Sequence, residues 1–280
     1  MNKLIKKIAS FIFSKNIFLI IKQIIENNSY IKIPINNKII SFFCPNELTK
    51  WRIKTLYDKE PETLEWIDNF KQNKEIIFWD IGANIGLYSI YAAVKFKNIT
   101  IISFEPSSSN LRILSRNISI NELQNKIKIC QIPLCNLSNQ FSMMKESFFI
   151  EGGAMNTFGD NKDFEGKEFV SKMNYSILGT SINTLLDQKI LDLPNYIKID
   201  VDGIEHLIIK GADNYLINPN IKEILIEINE NFTDQKKYVL EIMEKNNFKL
   251  ILKRNNDDFI QNKSLKNTFN FLFSKNNVNS

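Results

Sequence analysis

Apolar positions in residues 1–24 recur at helical spacing: Leu4, Ile5, Ile8, Phe11 and Ile12, then the run Ile17-Phe18-Leu19-Ile20-Ile21. Lys3, Lys6, Lys7, Lys15 and Lys22 interrupt them and no acid does, so the pattern predicts a basic amphipathic helix. A membrane-spanning helix needs about 20 mostly apolar residues, and this stretch is too short and too charged. No small-residue cleavage site follows it, which argues against a secretory leader. The favoured reading is a helix packed on the domain; the alternative is peripheral contact with the inner face of a membrane. Residues 30–35 and 38–43 then read as two strands joined by a hairpin turn at Asn36-Asn37. Residues 47–57 and 61–70 read as helices, with Pro61 suited to a first helical position and Glu62 to a first turn.

From residue 75 the period changes. Short apolar runs at 75–79, 100–104, 126–132, 196–201, 222–228, 249–252 and 267–273 read as strands. Helical stretches at 87–95, 110–120, 205–210 and 235–246 separate most of them. Strands alternating with helices predict an α/β domain with a doubly wound, mostly parallel sheet. The last two strands flank a long connection, which predicts an antiparallel edge strand. Residues 136–180 break the rhythm with Met143-Met144, Gly152-Gly153 and a polar, acidic stretch at 160–168. A connection of this length is expected to be a lid or a binding loop. The chain therefore divides into a helical and hairpin extension, 1–72, and a Rossmann-like domain, 73–280.

Composition narrows the chemistry. With 280 residues, 44% of them hydrophobic and 21 Phe, the chain has ample material for a packed core. A net charge of +5, with no basic stripe interleaved with aromatics, gives no case for nucleic acid as a partner. Cys44, Cys130 and Cys135 lack metal-ligand spacing, and with His206 as the one histidine a zinc site is not expected. Scattered, odd-numbered cysteines fit a reducing cytoplasm.

Two clusters carry candidate chemistry. The first is Asp80-Ile81-Gly82-Ala83-Asn84-Ile85-Gly86, a strand end, a glycine turn and a helix start. Ligands of open α/β sheets bind at such strand ends. Gly82 lets the backbone approach a ligand, and helix-start amides favour an anionic group such as a carboxylate. Asp80 would repel a pyrophosphate, and Asn84 stands where a dinucleotide loop has its second glycine. S-adenosylmethionine carries an ammonium and a sulfonium, so an acid beside the loop suits it. Glu105 closes the next strand, where an acid hydrogen-bonds ribose in dinucleotide folds, so Asp80 and Glu105 form a candidate clamp. Pro106 fixes the chain exit and Asn110 lies near the following helix start. The second cluster is Ile197-Lys198-Ile199-Asp200-Val201-Asp202-Gly203-Ile204-Glu205. Strand periodicity puts Lys198, Asp200 and Asp202 on one face, a charge mixture suited to a polar acceptor and perturbed pKa values.

Residues 80–89 (DIGANIGLYS), Phe104-Glu105-Pro106, 181–187 (SINTLLD), 198–205 (KIDVDGIE), Gly211-Ala212 and Glu227 together resemble the FkbM family of methyltransferases. The resemblance spans roughly residues 75–230. It implies a class I methyltransferase fold, S-adenosylmethionine as donor and O-methylation of a sugar, glycan or natural-product hydroxyl. It places the donor at Asp80, Gly82, Ala83, Asn84, Gly86, Ser89, Glu105, Pro106 and Asn110, with residues 131–134 (QIPL) against the adenine. Asp202 departs from the glutamate of many relatives. Asp200 or Asp202 is the expected base, with Lys198 and Glu205 orienting the acceptor or the donor carboxylate. In a variant, Asp200, Asp202 and Glu227 hold Mg²⁺. His206 is expected on the helix beyond the site. The competing readings are a nucleotide-dependent oxidoreductase, which Asn84 opposes, a non-catalytic scaffold, which intact acids oppose, and methylation of nitrogen, for which no Asn-Pro-Pro-Tyr signature is present.

Overall fold

The computed structural model describes residues 3–14, 17–71, 75–255 and 266–275. The expected domain boundary at 72–73 lies outside them, as does most of the connection between the last two strands. A central seven-stranded sheet is built from β3 (Ile76–Ile81), β4 (Ile99–Phe104), β5 (Ile127–Cys130), β9 (Tyr196–Ile199), β10 (Glu223–Asn229), β11 (Phe248–Arg254) and β12 (Thr268–Lys275). Their spatial order is β11-β12-β10-β9-β3-β4-β5. The chain winds outward from β3 through β4 to β5, then restarts at β9 on the other side of β3. The β3/β9 junction is the topological switch point, where such sheets open a crevice at their carboxyl ends. The expected antiparallel strand is β12, which runs against both β10 and β11 and so lies one place in from the edge.

Burial on both faces explains the near-continuous apolar strands. Alternate side chains of β3 enter opposite cores: Ile76 and Phe78 one, Trp79 and Ile81 the other. Helices α5 (Leu87–Lys95) and α6 (Ser108–Ile120) cover the first face. Helices α7 (Ile182–Asp187), α8 (Glu205–Lys210) and α9 (Thr233–Lys245) cover the second. The SINTLLD segment is structural: Ser181 caps α7 by accepting from Thr184 N, and Asn183 N donates to Gly211 O. A Cβ on Gly211 would lie 2.1 Å from Cys135 O, which explains the glycine there.

The hairpin β1 (Tyr30–Ile35) and β2 (Lys38–Phe43) and the helices α3 (Glu47–Lys54) and α4 (Pro61–Asp68) pack into the first core. Asn46 and Thr49 form a reciprocal capping box at the start of α3. Trp66 of α4 meets Phe78 edge-on at 5.9 Å, and Phe70 stacks on Tyr196 at 3.8 Å. This aromatic cluster fixes residues 59–60, just before α4, above the switch point.

Residues 136–180 contain a small antiparallel sheet of β6 (Gln140–Glu146), β7 (Asn156–Phe158) and β8 (Met173–Gly179), in the order β7-β6-β8. The sequence pattern missed these strands because their faces are half exposed and carry little apolar alternation.

The amino-terminal expectation needs correction. Two helices, α1 (Lys3–Ser14) and α2 (Ile17–Asn28), stand where the pattern predicts one, and Lys15 lies outside the described residues. Among the described side chains the expected packing on the domain is not seen: Ile8, Phe11 and Phe18 are exposed, and no residue of α2 is buried. At the end of α2, Arg112 and Arg116 of α6 pair with Glu26 and tie the arm to the domain.

Asn117 joins the hairpin to the glycine turn. Its Oδ1 accepts from Phe43 N at 2.7 Å and its Nδ2 donates to Ile85 O at 2.9 Å, all buried. Asn117→Ala orphans both backbone groups, at roughly 1–3 kcal/mol each. A lowering of the unfolding free energy by about 2–4 kcal/mol in urea titration is expected. A change under about 0.5 kcal/mol, the range of an ordinary surface substitution, contradicts the coupling.

Candidate active site

The site grows from a row of side chains across the sheet. Ser103, Asp80 and Lys198 are register neighbours on β4, β3 and β9. Ser89 of α5 donates to Asp80 Oδ2 at 2.6 Å and lies 2.7 Å from Ser103 Oγ. Asp80 is fully buried and its Oδ1 has no hydrogen-bond partner. Burial raises its carboxyl, and the Lys198 cation partly offsets that. The chain then turns at Gly82, φ 86°, where a Cβ would sit 1.8 Å from Asp200 O. The glycine loop and the end of β9 thus form one backbone wall. Gly86, φ 88°, starts α5, and Asn84 between them also takes positive φ, at 51°.

Lys198 is 1% exposed and pairs with Asp200 Oδ2 at 2.6 Å. Burial works to lower its pKa, but Asp200, Asp80 and Glu60 outweigh burial and hold it above the usual lysine value. Glu60 precedes α4 and accepts from Tyr88 Oη at 2.8 Å. It also pairs with Lys59. Burial works to raise Glu60, yet Lys59 and Lys198 hold it down at about 2.

Glu105 is buried at the end of β4. Its two oxygens accept from Asn84 N and Ser107 N, both at 2.8 Å. Burial pushes its carboxyl up to about 7. In front of it runs a strap, residues 150–155. Asn84 Nδ2 and Asn110 Nδ2 both donate to Gly153 O, and Asn110 Oδ1 accepts from Gly152 N. Arg52 Nε of α3 donates to Gly152 O at 2.6 Å. The amides of Asn84 and Asn110 are therefore engaged with the strap. Beside Pro106, a narrow apolar cleft of about 40 Å³ is lined by Phe104, Ile132, Pro133, Leu134, Phe158 and Ile204.

The other acids divide by environment. Asp202 takes a left-handed backbone, φ 63°, which Asp tolerates better than most residues, glutamate included. Its Oδ2 accepts from Met155 N at 2.6 Å. Burial, with the Asp200 charge, raises its carboxyl to about 6. Glu205 does not line the cavity. Its carboxylate accepts from Val201 N, Gly203 N and Gln235 Nε2, so it shapes the loop carrying Asp202 rather than facing an acceptor. His206 packs edge-on against Phe232, on the helix beyond the site as expected.

A cavity of about 390 Å³ opens between the glycine loop, the strap and the extension. Gly82, Asn84, Asp200, Asp202 and Glu227 form its floor, Trp51, Arg52, Lys59 and Glu60 one wall, and Phe148, Ile150 and Met155 another. Glu62, Asn255, Thr268 and Asn270 also line it. Burial raises Glu227 well above the carboxylate range, and the Asp200 and Glu60 charges add to it. Glu60, Asp200 and Glu227 can bring one oxygen each within 4.8 Å of the others. The geometry thus groups Glu60, not Asp202, with the other two acids of the expected Mg²⁺ set. Lys59 and Lys198 already supply cations there.

The contribution of residues 51–62 escaped the sequence reading. Asp58-Lys59-Glu60 reads as a solvated charge run before a helix, and only the fold reveals that Lys59 and Glu60 face the acids of β9 and β10. Late polar residues Thr268 and Asn270 were equally hidden inside a strand pattern.

The "Methyltransferase FkbM domain" family profile matches residues 80–250. A curated relative, "Methyltransferase sdnD" of Sordaria araneosa, is 29% identical over 170 residues, 52% of this chain and 63% of that protein. "Methyltransferase 1" of Beauveria bassiana is 22% identical over 147 residues, 48% of this chain and 57% of that protein. The alignments thus cover less than two thirds of either relative. Among solved structures, precorrin-6y C5,15-methyltransferase from Geobacter metallireducens aligns at 15% identity and TM-score 0.44, over 78% of this chain and 87% of that one. The profile match runs from the acid of the glycine loop through β9 and β10 to β11, on a sheet with the class I methyltransferase strand order. The chain belongs to the FkbM family of S-adenosylmethionine-dependent methyltransferases.

Proposed function

We propose that the chain is an O-methyltransferase acting on a hydroxyl of a sugar or a glycan-like natural product. The observation that carries this reading is the cavity beside the glycine loop. It combines carboxylates and amides, which exchange hydrogen bonds with hydroxyls, with Trp51 and Phe148, which offer apolar faces to a sugar ring. Its size suits a small-molecule site.

Bound S-adenosylmethionine supplies an electrophilic methyl group on a sulfonium. Its fit to this chain is supported by the orphaned Oδ1 atoms of Asp80 and Asn84, by the backbone wall at Gly82 and by the apolar cleft at residues 132–134. Gly82, Ala83, Asn84 and Gly86 would cradle the donor's amino-acid end. Asp80, fixed by Ser89, would supply negative charge behind it. Glu105 would accept from ribose hydroxyls, with Pro106 and Asn110 shaping that end. Since the strap occupies the amides of Asn84 and Asn110, donor entry requires the strap to give way.

Asp202 is the proposed base. A carboxyl at about 6 is ionised at neutral pH yet basic enough to help an alcohol, and Asp202 borders the cavity. It takes the proton that the acceptor hydroxyl loses on becoming an ether. Asp200, tied to Lys198, is the proposed positioning group. Much of the rate then comes from holding the two reactants in line.

Donor binding is tested by calorimetry on Asp80→Asn and Glu105→Gln, with melting temperatures as a folding control. Losing a charge-assisted hydrogen bond costs about 1.5–3 kcal/mol, so S-adenosylmethionine affinity should fall by roughly 10- to 150-fold in each. Wild-type affinity in both folded variants rejects the clamp.

The chemistry is tested with labelled donor and a panel of sugar acceptors, read by mass spectrometry. Turnover per KM should rise with pH through an apparent pKa near 6, because Asp202 must lose its proton to act. Asp202→Asn should cut turnover about 10²–10⁴-fold and remove that limb while donor affinity stays within about threefold. With Lys59 and Lys198 supplying the local cations, chelation by EDTA should leave turnover unchanged. Methylation of amines alone overturns the hydroxyl reading, and loss of activity in EDTA restored by Mg²⁺ moves the chemistry to a metal.

A further inference from the structure

We propose that α1 and α2 form an arm that binds an anionic lipid surface. At 100° per residue, Lys3, Lys6, Lys7 and Ser10 share one side of α1, and Leu4, Ile5, Ile8 and Phe11 share the other. That apolar side is not covered by the domain: Leu4 is 63% and Ile8 52% exposed. Helix α2 extends the same character: Ile20, Ile21, Ile24 and Ile25 share one side of it and all are exposed, with Lys22 away from that side. Scattered exposed hydrophobics are ordinary on a protein surface, but an exposed apolar side on each of two successive helices marks an interaction face.

Charge selects the occupant. Lys3, Lys6, Lys7 and Lys22 face no acid before Glu26, and Glu26 is engaged by Arg112 and Arg116 of α6. Apolar side chains flanked by unneutralised lysines complement the acyl boundary and negative headgroups of an anionic leaflet. Each helix has 12 residues, and no helix among the described residues is long and apolar enough to cross a membrane. The arm therefore lies in the interface plane.

The root of the arm ties this surface to the active site. Arg112 pairs with Glu26 at the end of α2 and with Glu151 of the strap at 2.9 Å. Phe148 and Phe149, just before the strap, are also exposed. Docking the arm brings the strap, and the cavity it borders, next to the lipid surface.

The test uses the full chain and vesicles of phosphatidylcholine, alone or with phosphatidylglycerol at a quarter of the lipid, at low and high salt. The wild type should co-sediment with the anionic vesicles at least tenfold more strongly than with the neutral ones. High salt should weaken that binding at least tenfold, because screening shortens the reach of the lysines. A charge-reversed variant, K3E/K6E/K7E/K22E, and an apolar-face variant, I8D/I20D, should each lose it while keeping the wild-type melting temperature. Wild-type protein left in the supernatant with anionic vesicles overturns the proposal, as does equal pelleting of the variants. Self-association that Ile8→Asp abolishes, without vesicle binding, also overturns it and assigns the face to a second copy of the chain.

Discussion

A buried ammonium at the sheet's switch point organises the molecule. Lys198 lies between β3 and β10 with almost no access to water, and an unpaired charge there would cost several kcal/mol. Its neutralisation recruits carboxylates from three separate places: Asp80 on β3, Asp200 at the end of β9 and Glu60 ahead of α4. Asp80 and Asp200 come from the parallel sheet itself. Glu60 does not, and it reaches the site only because Trp66 and Phe70 anchor α4 on Phe78 and Tyr196. The extension is thus tied to the site twice, by an aromatic cluster and by the need to balance Lys198.

The same electrostatics divides the acids by role. Glu60 lies between Lys59 and Lys198 and stays ionised, whereas Glu227 is pushed toward its neutral form by burial and by the Asp200 and Glu60 charges, which Lys59 offsets only in part. Asp202 falls between these extremes. Its left-handed backbone turns it out of the strand direction, so its carboxylate meets Met155 N of the strap while Asp200 holds Lys198, although strand alternation groups all three. A glutamate there would have a longer reach but a greater cost in that conformation, so Asp202 trades length for a backbone it tolerates.

Much of this was legible in the residues because it follows from local rules. Parallel strands buried on both faces leave apolar runs, and a glycine needed at φ 86° leaves Gly82 at a strand end. The hidden parts are those set by distant pairing. Glu60 meets Lys198 and Tyr88 only after the chain has wound through most of the sheet, and nothing in Asp58-Lys59-Glu60 distinguishes it from a solvated turn. The strands of 140–179 were hidden for another reason: with one face exposed and the other partly so, their side chains need not alternate cleanly. At the amino terminus amphipathicity was readable and its partner was not, because periodicity specifies an apolar face without specifying what covers it.

The strap draws these levels together. Its backbone bonds go to the extension through Asn46 and Arg52, to the glycine loop through Asn84, to α6 through Asn110 and to the acidic loop through Asp202. Arg112 adds a link from Glu151 to the arm. Opening the strap therefore breaks a set of individually modest hydrogen bonds, each worth about 0.5–1.5 kcal/mol net. A ligand that replaces the strap's carbonyl and amide partners can offset much of that loss. The segment can thus close the site in the free protein and still yield to a donor, which suits a reaction in which water must be kept from the acceptor's place.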